Sequence, residues 1–91
     1  MVEFRWNHWN EEHVGKHGVD PGQAEAVIRG ARAPYPLVQG DEKYLVWGPT
    51  DNGQLLQVVF VIDDGGTIFV IHARPRPLTV AEKRRYQRRS R

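Results

Sequence analysis

The sequence contains no cysteine, so neither a disulfide bond nor a thiolate metal site can stabilise its fold. It has no apolar run near the roughly 18 residues that a membrane-spanning helix requires, and its N-terminus lacks the charged-then-apolar order of a secretory signal. With 91 residues, the chain is also too short for two independent hydrophobic cores. We therefore expect a soluble cytoplasmic protein with a single domain, residues 1–91, and no membrane contact.

Acidic residues are almost absent from the last part of the chain. From Arg74 onward Glu82 is the only acid among eight basic residues, although the net charge of the whole chain is only +2. The basic residues are Arg74, Arg76, Lys83, Arg84, Arg85, Arg88, Arg89 and Arg91. A local basic surface of this kind attracts a polyanion such as RNA. The alternative is that the segment is only the solvated end of a helix.

Capping residues predict two helices in the first third of the chain. The first runs from about Asn7 to His17, because the Asn7 side chain can accept a hydrogen bond from a free backbone N–H and Gly18 can take the left-handed conformation that ends a helix. Asp20-Pro21 then supplies the N-cap and first residue of a second helix, which extends to Arg29 or Arg32. We expect this helix to bury Ala24, Val27 and Ile28.

Three later segments have the composition of strands. They are Lys43–Trp47, Leu55–Ile62 and Thr67–Ala73, and a short edge strand is expected near Tyr35–Val38. Glycine-containing turns between the long strands, including Asn52-Gly53, indicate antiparallel pairing.

Thr79 and Glu82 have the spacing of a capping box and predict a basic C-terminal helix. The expected fold class is therefore α+β, with two N-terminal helices, a three- to four-stranded antiparallel sheet and this last helix.

Several short motifs follow one another along the chain. They are Phe4-x-Trp6-Asn7, Lys16-His17-Gly18-Val19, Gly40…Tyr44-Leu45-Val46, Gly48-x-Thr50, Val58-Val59-Phe60, Ile71-x-Ala73-Arg74 and Thr79-x-x-Glu82-Lys83-x-x-Tyr86. In this order they resemble BrnT-family toxins over nearly the whole chain. The Pro75-Arg76-Pro77 connector departs from the family pattern because it is longer.

The resemblance to BrnT toxins implies a fold similar to that of RelE-type ribonucleases. It also implies a toxin of a type II toxin–antitoxin pair, which cuts RNA without a metal or another cofactor and is silenced by a cognate antitoxin protein. The free protein is expected to be a monomer or a homodimer.

Metal-independent RNA cleavage needs a base for the 2′-hydroxyl proton, cations that stabilise the pentacovalent phosphate, and an acid for the leaving oxygen. Histidine suits either proton-transfer role because it titrates near neutral pH, and arginine can grip a phosphate through two donors. The catalytic candidates are His17, His72, Arg74, Glu82 and Tyr86. The RNA-binding candidates are Lys16, Arg32, Arg76, Lys83, Arg84 and Arg88.

Each main candidate also has a structural explanation. His17 can stabilise the C-terminal end of the first helix, Arg74 can form a salt bridge with Glu12 or Glu82, and Glu82 can serve the capping box. Strand alternation places His72 on one face with Val70 and Arg74. If that face is uncovered, His72 belongs to the site; otherwise it is a core histidine.

His13 and His17 have the spacing of a zinc-binding pair on a helix, but no third ligand is evident, so no metal site is expected. The tryptophans can stack on bases, although a small domain usually places them in its core. Trp6 and Trp47 are assigned to the core, and Trp9 stays open between the two explanations.

Three functions are compatible with this sequence. The first is the ribonuclease toxin, in which Arg74, Arg76 and Lys83 hold the phosphate, His17 or His72 transfers protons, and Tyr86 positions the substrate. The others are a non-catalytic nucleic-acid-binding module and a protein-interaction domain that uses the same basic helix. A neighbouring gene for a DNA-binding antitoxin would favour the toxin.

Overall fold

The computed structural model describes residues 2–76 and, beyond them, Val80, Ala81 and Arg84. The elements in chain order are β1 (Phe4–Arg5), α1 (His8–Gly15), α2 (Pro21–Arg29), β2 (Leu37–Val38), β3 (Lys43–Pro49), β4 (Leu55–Ile62) and β5 (Ile68–Pro75). The strands form one sheet in the order β1-β5-β4-β3-β2. No helix among the described residues is long and apolar enough to cross a membrane.

Within the described residues the sheet has five strands and is mixed, which corrects the expectation of a three- to four-stranded antiparallel sheet. β3, β4 and β5 form the expected antiparallel meander, and β2 adds the expected edge strand. β1 lies on the other side of β5 and pairs with it in parallel, with Phe4 opposite Ile68 and Arg5 opposite Phe69. The sequence did not predict β1 because a two-residue strand is too short to show alternation.

The basic C-terminal segment is described at three positions, Val80, Ala81 and Arg84, and all three are helical. The rest of the predicted helix, including its capping residues Thr79 and Glu82, lies outside the described residues. The bounds and the cap of that helix therefore stay predictions.

α1 begins where its capping residue predicts. The Asn7 side chain accepts a hydrogen bond from the Asn10 N–H at 3.2 Å, and the Asn10 side chain accepts one from the Asn7 N–H at 2.7 Å. The Asn10 amide also donates to the Arg5 carbonyl at 3.0 Å, and Asn10 is fully buried. Asn10 thus joins β1 to α1. The helix ends at Gly15, two residues before the predicted end, and Gly18 has a φ of 73°, which glycine adopts without a steric cost.

α2 follows Asp20 and begins at Pro21, as the sequence predicts. The Asp20 N–H donates to the Gln23 side chain at 3.0 Å, which satisfies a backbone donor ahead of the first turn. The helix ends at Arg29, the nearer of the two expected ends. Of the residues expected to be buried, Ala24 and Val27 are buried, and Ile28 is half-buried against the core.

One face of the sheet, the first face, packs against both helices. Its fully buried residues are Val46 of β3, Leu56 and Val58 of β4, and Val70 and Ala73 of β5. Val14 from α1 and Val27 from α2 belong to the same core. Each valine buried in this way stabilises the fold by roughly 1.5–3 kcal/mol.

α2 lies close to β3 because Gly48 has no side chain. A Cβ at Gly48 would come within 3.2 Å of the Val27 Cγ1 atom. The glycine therefore sets the distance between this helix and the sheet.

Candidate functional site

The opposite face of the sheet, the second face, carries the polar residues of β4 and β5. Val58 and Ala73 pair directly and are both buried in the core. Because adjacent residues of a strand point to opposite faces, the cross-strand pair of Gln57 and Arg74 lies on the second face. His72, on the other side of Ala73, lies there too. The structure thus places a histidine and an arginine two residues apart on one surface.

A β-bulge between β4 and β5 sets the direction of His72. Val59 pairs with His72 and Phe60 pairs with Val70, so Ile71 is an additional residue in β5. The prediction that His72 shares a face with Val70 was wrong, because an extra residue resets the two-residue period of a strand.

His17 meets His72 at the edge of the sheet. α1 packs against β5, and in the turn that follows α1 the His17 N–H donates to the Val14 carbonyl at 3.2 Å. The ring centroids of His17 and His72 are 5.6 Å apart, and the ring planes make an angle of 69°. The fully buried Val14 anchors this end of the helix, so the core that stabilises α1 also positions His17.

Burial lowers the pKa of His72 below its usual range, and the positive charges of Arg74, His17 and His13 lower it further. Both causes act against the charged imidazolium form. His72 is therefore neutral at neutral pH, and one of its ring nitrogens is free to accept a proton.

His13 belongs to a column of stacked side chains beside this pair. It stacks on Trp9 with 3.9 Å between ring centroids, and Trp9 stacks on Phe69 with 5.9 Å. The Arg5 guanidinium lies 4.2 Å above the Phe69 ring. The His13 Nδ1 atom is 2.7 Å from the Trp9 carbonyl oxygen, and because a carbonyl only accepts, Nδ1 is the donor. This contact fixes the orientation of the His13 ring.

Trp47 contributes to the second face from β3. Its Nε1–H donates to the Gln57 Oε1 atom at 3.1 Å, directly across the β3–β4 pair. The Arg76 guanidinium lies 3.6 Å from the centroid of the Trp47 ring. The prediction that Trp47 belongs to the core was wrong, because it is half-buried on the second face. Alternation along β3 places Val46 in the core instead.

The other two tryptophans differ in their surroundings. Trp6 is half-buried against the core, as expected, and its Nε1–H donates to Glu25 at 2.7 Å. Trp9 has 48% of its surface exposed, so the column leaves about half of it uncovered.

Four predicted site residues come together on the second face or at its edge: His17, His72, Arg74 and Arg76. Lys16 is exposed beside His17 at the end of α1. Among the ion pairs of the described residues, none joins Arg74 to Glu12, which was one structural explanation for that arginine.

Arg32 lies elsewhere. It lines a cleft of about 420 Å³ between α2 and β3, together with Gly48 and Asp51. β4 separates β3 from β5 in the sheet, so Arg32 does not join the histidines. Arg84 is exposed. The remaining candidates, Glu82, Lys83, Tyr86 and Arg88, lie outside the described residues.

The part of the chain that the structure describes also bears on metal binding. There, no group of three or more histidine and carboxylate residues is placed to hold a metal ion.

Sequence reasoning missed Gln57, Phe69 and Arg5. Gln57 had a usable signal, because it is the only polar residue in the apolar run of β4. Phe69 and Arg5 had none, because their contact depends on the unpredicted pairing of β1 with β5.

Comparison with known proteins gives one informative result. No protein-family model matches the sequence, and a search of curated proteins finds no significant match. Among solved structures, the fold is similar to the crystal structure of the Brucella abortus ribonuclease toxin BrnT, with a TM-score of 0.68 and 15% sequence identity. The match covers 86% of this chain and 100% of the BrnT chain. The resemblance expected from the sequence motifs is therefore confirmed at the level of the fold.

Proposed function

We propose that this chain is a metal-independent endoribonuclease and the toxin of a type II toxin–antitoxin pair, acting as a single domain in the cytoplasm. The observation that carries the proposal is the position of His72, which lies beside His17 and Arg74 and whose pKa is lowered by burial and by these cationic neighbours. The shared fold with the BrnT ribonuclease toxin supports it.

His72 is suited to act as the base. Its burial and its cationic neighbours disfavour protonation, so it can take the proton from a ribose 2′-hydroxyl. The 2′-oxygen then forms a bond to phosphorus as the bond from phosphorus to the 5′-oxygen breaks. The products are a 2′,3′-cyclic phosphate and a 5′-hydroxyl.

His17 in its cationic form is suited to protonate the departing 5′-oxygen. Its ring lies edge-on to that of His72, with 5.6 Å between centroids, so the two histidines can serve the attacking 2′-oxygen and the leaving 5′-oxygen on opposite sides of one phosphorus. The proton that His72 gains and the one that His17 loses balance over the cleavage step.

Arg74 and Arg76 supply positive charge to the phosphate, whose negative charge grows as the pentacovalent state forms. Arg74 lies two residues beyond His72 on the second face, and Arg76 follows at the end of β5. Lys16 and the basic C-terminal residues Lys83, Arg84 and Arg88 would add attraction for the rest of the RNA. Glu82 and Tyr86 stay candidates for positioning the substrate.

A cognate antitoxin is the expected protein partner. We propose that it silences the enzyme by occupying the basic surface around Arg74 and Arg76, where it would compete with RNA for the same positive charge.

Cleavage of a single-stranded RNA by the purified protein in excess EDTA tests the activity. We expect cyclic-phosphate ends with the wild type, and loss of cleavage in Arg74→Ala without a change in melting temperature. Arg74→Lys keeps the charge but not the paired donors and should retain partial activity. Equal loss of activity and of stability in Arg74→Ala would instead make the residue structural.

Growth of cells on induced expression tests the toxin assignment. Arrest by the wild type, with normal growth for Arg74→Ala and for a stop-codon control, would support it, and co-expression of a neighbouring antitoxin gene should restore growth. Normal growth with abundant soluble wild-type protein would contradict the toxin and favour a non-catalytic RNA-binding or protein-interaction module.

A further inference from the structure

Gln57 is a polar side chain of the second face that the proposed mechanism does not use. It stands alone among the apolar residues of β4 and is half-buried between Trp47 on one side and Arg74 on the other. A polar group that is partly removed from water has a cost unless it forms hydrogen bonds. Its place in the middle strand therefore calls for a partner.

One end of the Gln57 amide has such a partner. The Trp47 indole nitrogen can only donate a hydrogen bond, so the Gln57 atom 3.1 Å away must be the oxygen Oε1. The amide is thereby fixed in one of its two flipped orientations. Its Nε2 group, with two N–H donors, faces away from Trp47.

Arg74 is the direct neighbour of Gln57 across the β4–β5 pair. Side chains in directly opposed positions of an antiparallel pair have their Cβ atoms roughly 4.5–5.5 Å apart. The neutral donors of Gln57 and the cationic donors of Arg74 can therefore contact the same anion. His72 lies on the same face, two residues before Arg74.

We infer that Gln57 binds a backbone phosphate of single-stranded RNA through Nε2, beside Arg74, and that Trp47 acts as a positioning residue by holding the Gln57 amide in its donating orientation. The inference rests on the proposed ribonuclease function, because it takes the phosphate at the same site. It adds to that function a neutral hydrogen bond to the phosphate, which orients the phosphate without adding positive charge to the site.

A neutral contact and an ionic contact differ in their response to salt. Arg74 releases counterions when it neutralises a phosphate, so its removal should lower the slope of log affinity against log salt by about one. Gln57 carries no charge, so its removal should weaken binding by a similar factor at every salt concentration and leave the slope unchanged.

The test measures binding, which does not require turnover. A fluorescent single-stranded oligonucleotide with 2′-O-methyl groups serves as the probe, because it lacks the nucleophile and cannot be cut. We expect Gln57→Met to bind it roughly ten- to a hundredfold more weakly than the wild type, which is the usual effect of losing a hydrogen bond to a charged group.

Two further variants separate position from charge. Gln57→Glu still accepts from Trp47 but replaces the two donors with a negative charge, and it should bind more weakly than Gln57→Met. Gln54→Glu makes the same charge change at an exposed position before β4 and should bind nearly as well as the wild type. If Gln57→Met melts below the assay temperature, the Gln57→Glu and Gln54→Glu pair carries the comparison.

Trp47→Phe tests the positioning role. It keeps an aromatic ring beneath Arg76 but loses the indole N–H, so the Gln57 amide is no longer fixed. We expect a smaller loss of affinity than in Gln57→Met, and no additional loss when both changes are combined. Additive losses would overturn the positioning role.

The outcomes distinguish the Gln57 inference from the proposed ribonuclease function. Cleavage of RNA by the wild type, with Gln57→Met binding as tightly as the wild type, overturns the Gln57 inference and leaves the ribonuclease intact. Weaker binding by Gln57→Met with an unchanged salt slope supports the inference even if no RNA is cut, in which case the ribonuclease fails. A wild type that does not bind the oligonucleotide overturns the inference.

Discussion

The rings of His17 and His72 meet edge to face, with 5.6 Å between their centroids, although one follows α1 and the other lies on β5. The contact exists because the core holds α1 against β5 through Val14. The packing of the core thus positions a candidate catalytic residue. Variants that disturb this packing can be distinguished from variants that remove a candidate catalytic group.

The stability of the protein should depend on the protonation of His72. The folded protein lowers the pKa of His72, mainly through burial and then through Arg74, His17 and His13. Its unfolded form therefore binds a proton at higher pH than the folded form. The free energy of unfolding should be highest above the ordinary histidine pKa of about 6.5 and should fall as the pH decreases toward the lowered pKa.

Urea denaturation from pH 7.5 to pH 5 measures this effect, and His72→Gln provides the comparison. We expect a shallower decrease in the variant, because glutamine has no proton to gain. Identical pH profiles for the two proteins would contradict a lowered pKa at His72.

Arg74 and Arg32 should differ in their contribution to RNA cleavage. Arg74 lies beside His72, whereas Arg32 lines the cleft between α2 and β3. Loss of a group that stabilises the transition state typically lowers turnover by roughly 100- to 1000-fold, and we expect that from Arg74→Ala. Arg32→Ala removes the same charge and should stay within about threefold of the wild type. Equal losses in single-turnover rates would mean that only the total charge matters.

Asn10 should be important for stability because it is fully buried and joins β1 to α1. Asn10→Ala removes the side-chain oxygen that accepts from the Asn7 N–H and leaves the Arg5 carbonyl without its donor. We expect a loss of roughly 1–3 kcal/mol in the free energy of unfolding. Gln23→Ala removes the equivalent capping residue of α2, which is less buried, and should cost about 0.5–1 kcal/mol. A larger loss for Gln23→Ala in chemical denaturation would contradict this order.

Substitution by alanine should have opposite effects on stability at Gly48, which lies beneath α2, and at Gly22, which lies within α2. Gly48→Ala would place its Cβ 3.2 Å from Val27, and overpacking of this kind costs roughly 1–3 kcal/mol. Gly22 has open space around its Cβ position, so Gly22→Ala should stabilise the helix by about 0.5–1 kcal/mol. Melting temperatures of both variants give the test. A stable Gly48→Ala protein would mean that α2 moves away from β3 easily.

The sequence predicted the elements whose signals are local. Pro21, Gly18 and the apolar run from Leu55 to Ile62 each mark a boundary within a few residues of themselves, and the structure has α2 and β4 at the expected bounds. Asn7 likewise predicted the start of α1.

Features that depend on distant partners were not predictable in the same way. β1 exists only because Phe4 and Arg5 meet β5, and the direction of His72 depends on the bulge at Ile71. Alternation alone assigned Val70 to the same face as His72, which the bulge reverses. The candidate site residues could therefore be predicted from the chemistry of their side chains, whereas the contact between His17 and His72 could be found only from the tertiary structure.

The parallel pairing of β1 with β5 also has a consequence for biosynthesis. Phe4 and Arg5 are translated before β2, β3 and β4, whereas their partners Ile68 and Phe69 follow only after those three strands have been made. A contact between such distant segments forms late and slowly, and His72 is translated later still. A nascent or prematurely terminated chain that lacks β5 therefore cannot assemble the pair of His17 and His72. Any activity that needs this pair is therefore withheld until β5 has been translated.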